Sequence, residues 1–157
     1  MDASPEAAVV ALCRRVEEAT LCSAHAAHAG WPYGSLVPYA LTDSGDFVVW
    51  LADIAEHTRN LQAEPRATLL VADPAYVGQG QAGPRNAVMV RAAAPTGARA
   101  EAAETAYFGR YPEAAALRHA HGFRAWVLVV ERVRWIAGFG SMGWLSGDEW
   151  RAAVRAN

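Results

Sequence analysis

Lysine is absent: all fourteen basic residues of the 157-residue chain are arginine. Beside abundant alanine this reads first as genomic base composition, but it has a chemical consequence. Neither a lysine Schiff base nor a lysine phosphate clamp can operate, so anions must be met by arginine, histidine or backbone N–H groups. Two cysteines, Cys13 and Cys22, are too few for a disulfide framework or a zinc site. No apolar run approaches the length of a membrane span, and the first residues lack the basic-then-apolar profile of a signal peptide. The expectation is a cytoplasmic chain with no membrane partner. A net charge of −2 provides no basic footprint for nucleic acid. There is no serine–histidine–acid order, no glycine-rich phosphate loop and no pair of catalytic carboxylates, and no catalytic residue is assigned. These absences fit a protein whose cofactor carries the chemistry while the fold binds and orients it.

What is present is ordinary for a globular chain, with 53% hydrophobic and 19% charged residues. The length suits one domain over 1–157, large enough for a real core. Ser4-Pro5 reads as an N-cap with proline at the first helical position, and Val9, Leu12, Cys13 and Val16 recur at helical spacing, predicting a helix over 5–18. Strands are expected at 20–25, 34–41 and 47–52, separated by turns at Ala29-Gly30 and Asp43-Ser44-Gly45-Asp46. Further strands follow at 66–72, 86–93 and 123–135, the last with a bend or bulge at Glu131-Arg132. Helices are expected over 98–108 and 114–119, broken at Tyr111-Pro112. The segment from Gly138 to Trp144 reads as flexible backbone studded with aromatics. Six strands with few, short helices predict a mainly β, antiparallel barrel with its core at about 19–137 and a tail over 138–157, because closure removes unpaired edges.

The most informative stretch is 47–71, which reads as strand, helix and strand in little more than the minimum span. Asp53 and Glu56 have capping-box spacing, and the helix ends before Pro65. A helix N-terminus fed by a buried strand is a ready anion site.

Three blocks in order carry a family resemblance. They are Gly30-Trp31-Pro32-Tyr33-Gly34-Ser35-Leu36-Val37-Pro38-Tyr39-Ala40-Leu41, then Ala55-Glu56-His57-Thr58-Arg59-Asn60-Leu61, then Glu131 to Gly140. Over about residues 5–145 the chain resembles the FMN-binding split barrels of the pyridoxamine 5'-phosphate oxidase-like superfamily, nearest to the heme-utilisation, heme-degrading branch. The resemblance implies a homodimer with cofactor sites at the subunit interface and a small-molecule substrate. In the flavin branch an arginine and a lysine on the second strand hold the phosphate; here Ser35 and Ala40 stand in their places. A tyrosine–threonine pair corresponds to Trp50-Leu51, an arginine–lysine pair to Glu56-His57, and Trp135 matches a tryptophan on the last strand. The phosphate is then left to Ser35, His57, Thr58, Arg59 and helix N–H groups, with less charge assistance. The ring would lie along the strand backbone of Leu36-Val37-Pro38, with Trp50 and Trp135 nearby.

His57 is read either as a donor to phosphate or propionate, or as a neutral iron ligand, or as a structural histidine. A positive helix end favours the neutral imidazole. His25 with His28, and His119 with His121, flank turns; they read as exposed turn residues or as a source of one axial heme ligand. In some heme-degrading relatives the ligand lies in a C-terminal extension, whereas no histidine follows Gly138 here. Trp31, Trp50, Trp126, Trp135 and Trp144 read as core or interface residues, and Arg85 as solvated or as reaching an anion across the interface. The expected function is that of an FMN-dependent oxidoreductase acting on a small molecule; a heme-binding or heme-degrading protein and a cofactor-free binding module are the alternatives.

Overall fold

The computed structural model describes residues 4–157, so the first three residues of the expected domain lie outside the described residues. Eight antiparallel strands form one sheet, where six were expected: β1 (Glu18–Ala24), β2 (Pro32–Pro38), β3 (Ala40–Leu41), β4 (Phe47–Ala52), β5 (Arg66–Ala72), β6 (Arg85–Ala93), β7 (Phe123–Gly138) and β8 (Ser141–Ser146). One extra strand arises because the segment expected as continuous over 34–41 breaks at Tyr39. Pro38 has no N–H to carry the ladder on, and the Tyr39 ring turns into the core, where it is wholly buried.

The sheet order is β2-β1-β5-β6-β7-β4-β3, with β8 on β7. Its two ends, β2 and β3, are separated in sequence by Tyr39 alone. The barrel therefore closes through the chain itself, and β2 has no ladder with β4. That gap makes it a split barrel. Alternate residues fill the interior: Ala19 and Leu21 from β1, Leu69 and Val71 from β5, Val88 and Val90 from β6, Leu128 and Val130 from β7, and Phe47, Val49 and Leu51 from β4. The expected irregularity in β7 is a bulge, since Met89 pairs with Arg132 but Val90 pairs with Val130, which leaves Glu131 unmatched.

The helix α1 (Pro5–Arg15) ends three residues earlier than expected and closes one end of the barrel. Ser4 caps it by accepting from the Ala7 N–H at 3.2 Å. Val9, Val10, Leu12 and Cys13 are buried beneath it. Asn86 Nδ2 donates to Val9 O at 3.1 Å, and the Tyr39 hydroxyl donates to Cys13 O at 2.7 Å. Burial pushes the Cys13 thiol up to about 12, so it stays protonated and inert. The helix α3 (Ala98–Arg110) lies outside the barrel, where Ala103, Tyr107 and Phe108 cover Val48, Ala125 and Val127.

The C-terminal segment is not a flexible tail. It forms β8 and then α4 (Gly147–Ala156), begun by a capping box in which Ser146 and Glu149 satisfy one another's backbone N–H groups. Ser146-Gly147-Asp148-Glu149 is the sequence signal for this box. Trp150 is fully buried, stacks on Phe47 at 6.0 Å and donates Nε1–H to Gly45 O at 2.7 Å. The core thus depends on a residue that lies beyond the expected barrel. Trp150→Ala is expected to cost about 3–5 kcal/mol in urea unfolding, the loss typical of a large aromatic removed from a core; a loss below about 1 kcal/mol would return the segment to the status of an appendage.

Candidate cofactor groove

The split between β2 and β4 lies beside α2 (Glu56–Ala63), at the barrel end opposite α1. The expected Asp53–Glu56 capping box does not form. The N-cap is Ala55, without a side-chain bond, and Glu56 is already the first helical residue. Asp53 instead takes both guanidinium bonds of Arg124 at 2.8 and 2.9 Å, while its N–H donates to Gly122 O at 2.7 Å. Glu56 accepts from Arg59 at 3.1 Å and lies 4.0 Å from His25 Nε2.

Two polar side chains fix α2, and both are fully buried. The Thr58 hydroxyl donates to Ala52 O at 2.6 Å, tying the helix to the end of β4. Asn60 donates to Ser23 Oγ at 3.0 Å and accepts from the Ala26 N–H at 2.8 Å, tying it to β1. In the sequence Asn60 stands out only as a member of the 55–61 block. A polar residue between Arg59 and Leu61 gives no periodic signal, and only the β1–β2 hairpin folding beneath it discloses its role.

The other sequence-derived residues divide by position. Ser35 and Val37 point into the barrel, while Leu36 and Pro38 are exposed on the outer side of β2. Ser35 pairs with Leu21, one inward position along β1 from the Ser23 bonded to Asn60. Its Oγ is buried with no partner among the described residues, as is Trp126 Nε1. Leu51 is buried inside the barrel. Trp50 points the other way, against Tyr107 and Phe108, and donates to Leu117 O at 3.2 Å. Arg85 and Trp135 stand toward the α1 end: Arg85 donates to Gln81 O and Gly83 O in its own loop, and Trp135 pairs with Asn86 and lies over Gly143. The structure thus sets Ser35, Val37 and Leu51 inside the barrel and His57–Arg59 on α2, with Leu36 and Pro38 outside it beside the end of α1, and it leaves Trp50, Arg85 and Trp135 elsewhere.

All five histidines lie at this same end. His25 and His28 follow β1, with ring centres 4.6 Å apart, and His25 Nδ1 accepts from the Ala27 and His28 N–H groups. His119 and His121 are exposed in the segment leading into β7. Among the described residues no group of three or more histidine, cysteine, aspartate or glutamate side chains is placed to hold a metal ion. His57 is half-buried, and burial lowers its pKa from the ordinary 6.5, so the imidazole is neutral at pH 7. The corner therefore offers little positive charge: Arg59 and Arg124 are each tied to a carboxylate, and the Thr58 hydroxyl is already committed. This donor set does not match a phosphate dianion. What it offers is one neutral nitrogen.

A family model described as CREG, β-barrel matches residues 3–152. The chain belongs to this family. No curated protein sequence gives a significant match. Among solved structures, this CREG β-barrel chain is similar to a heme-binding protein from Mycobacterium smegmatis, with 30% identity and a TM-score of 0.87 over 97% of this chain and 62% of that one. The chain thus spans less than two thirds of that relative. Two further structures share the fold. HutZ, the heme storage protein of Vibrio cholerae, has 20% identity and a TM-score of 0.67 over 93% and 95% of the two chains. A pyridoxinephosphate oxidase-family protein from Clostridium acetobutylicum has 12% identity and a TM-score of 0.71 over 96% and 99%. The split-barrel resemblance read from the sequence therefore holds, and its structural neighbours include both heme-binding and flavin-type proteins. No helix among the described residues is long and apolar enough to cross a membrane.

The neutrality of His57 has a direct check and a defined sign. Its folded pKa lies below 6.5, so as pH falls through 6.5 the unfolded chain takes up a proton that the native state refuses, and stability declines. An NMR titration should place the His57 imidazole below 6.5; a value at or above it would remove the neutral nitrogen from the site.

Proposed function

We propose that this chain binds heme in the groove beside β2 and α2, acts on a small-molecule substrate, and works as a homodimer with the groove at the subunit boundary. One observation carries the choice of heme over FMN. The helix end that meets phosphate in flavin relatives here presents a neutral, half-buried histidine, and its arginine is bound to Glu56. A phosphate dianion set there would be desolvated without a compensating cation. Heme needs a neutral imidazole nitrogen instead, and its carboxylates can stay in solvent. His57 is the residue assigned to the iron. Heme, when bound, brings the redox and oxygen chemistry that the side chains lack. The similarity to the mycobacterial heme-binding protein supports this reading.

Flavin is the second reading, favoured by the unpartnered Ser35 Oγ on the strand that follows the flavin ring in the resembling family. Parallel titration of the purified protein with hemin and with FMN separates the two. A saturable Soret shift without FMN fluorescence quenching is expected. His57→Ala should weaken hemin binding by at least the roughly 10–100-fold that loss of an outer-shell partner costs a metal site. Quenching by FMN alone would reverse the assignment, and uptake of neither would leave a cofactor-free binding module.

A further inference from the structure

The helix α3 packs on the outside of the barrel through Tyr107 and Phe108, the large residues of its second half. Its first half meets the β3–β4 hairpin with Ala102, Ala103 and Ala106. These short side chains leave a cleft of about 620 Å³ between the helix and the hairpin. The floor is apolar, formed by Leu41, Val48 and Val127. Such a volume is in the range of small-molecule sites. The cleft opens at the start of β4, whereas α2 is tied to the end of that strand at Ala52. A strand length of roughly 20 Å therefore separates it from the groove described above.

Two opposite charges flank this floor. Asp46 ends the hairpin turn on one side, and Arg99 stands in the first turn of α3 on the other. Arg99 is near enough to act on the Asp46 carboxyl, yet neither residue belongs to an ion pair among the described residues. Asp46 is half-buried, and burial pushes its pKa above the ordinary value, with Arg151, Arg99 and the Ser44 hydroxyl drawing it back. The Arg151 guanidinium is already engaged, by Val130 O at 3.2 Å and by Asp148 at 2.7 Å. Asp43 adds a second, exposed carboxylate on the hairpin side. The kind of ligand follows from what each class would leave unmet. A neutral apolar molecule on this floor would take water from both charges and return nothing. A monocation would serve Asp46 and cover Arg99; a monoanion would do the reverse. A molecule carrying both charges answers both walls.

We propose that the cleft between α3 and the β3–β4 hairpin is a second binding site, for a small zwitterion with a short apolar body: a free apolar α-amino acid. Its ammonium group sits on Asp46, its carboxylate on Arg99, and its side chain on the floor of Leu41, Val48 and Val127. The site is separate from the groove beside α2 and needs no cofactor.

An amide NMR titration of the full chain at pH 7 with L-leucine tests the assignment. Saturable shifts are expected at Gly45, Asp46, Ala102 and Ala106. Two probes each lack one charge: 3-methylbutylamine has no carboxylate and 4-methylpentanoate has no ammonium. Each should bind at least about tenfold more weakly than L-leucine, as expected when a charged hydrogen bond is lost. Asp46→Asn and Arg99→Gln, both outside the core, should each weaken L-leucine by a similar factor while the circular dichroism spectrum stays that of the wild type. Ala106→Leu fills the cleft and should abolish binding with both charges in place. Absence of saturable shifts overturns the site. So does binding of either single-charge probe as tightly as L-leucine, since one wall would then suffice. Binding that survives Ala106→Leu and both charge removals would lie elsewhere on the chain and overturns it equally. Because the readout requires no heme, its outcome is independent of which cofactor the groove holds.

Discussion

The fold turns on Tyr39. It is the one residue between the two ends of the sheet, so the barrel closes only if the chain bends there and holds the bend. Three contacts hold it. The Tyr39 hydroxyl donates to Cys13 O, its N–H donates to Glu17 O, and its carbonyl accepts from the Tyr111 hydroxyl at 2.6 Å. These bonds join α1, the start of β1 and the end of α3 at one point. The ring meets Phe47 at 5.1 Å, and Phe47 in turn stacks on Trp150. Closure, the α1 cap and the C-terminal helix are thus parts of one buried aromatic and hydrogen-bonded unit, and the unpaired seam between β2 and β4 is its by-product.

The proposed ligand would enter at this seam, and α2 decides what kind it is. A helix end beside a buried strand is favourable to anions in general terms. Here the local charges work against that tendency, because Glu56 occupies the first turn and engages Arg59. What remains is an apolar strand, a hydroxyl and an imidazole. Fold and chemistry separate at this point: the same barrel serves flavin-type and heme-binding neighbours, and the difference lies in a few side chains around one short helix.

Much of the architecture was legible in the sequence because it rests on local signals. The short apolar runs in 47–52, 66–72 and 86–93, the turn at Asp43–Asp46 and the stop at Pro65 each act over a few residues. What was not legible depends on distant partners. Asp53 and Glu56 have the spacing of a capping box, yet Arg124, brought alongside by strand pairing, draws Asp53 away. The aromatic run after Gly138 looked unstructured, since its glycines have tertiary reasons: Gly140 turns a hairpin at φ +81°, and a Cβ at Gly143 would sit 2.7 Å from the Trp135 ring. At the groove the sequence supplied His57 and Ser35 as candidates. It had no means of showing that Thr58 is spent on Ala52, or that Trp50 leaves the groove for the α3 side.

The unpartnered hydroxyl of Ser35 has an energetic meaning of its own. A buried polar group left without a hydrogen bond costs a folded protein about 1–3 kcal/mol. The chain tolerates that deficit on the strand that lines the seam, although the buried polar side chains of α2, Thr58 and Asn60, are both satisfied. Folding therefore leaves one interaction on this strand for an occupant to complete. An occupant that bonds this hydroxyl gains affinity by meeting a need the fold itself leaves, and the protein becomes harder to unfold in proportion. Ligand retention and thermal resistance are in this way two readings of a single missing bond.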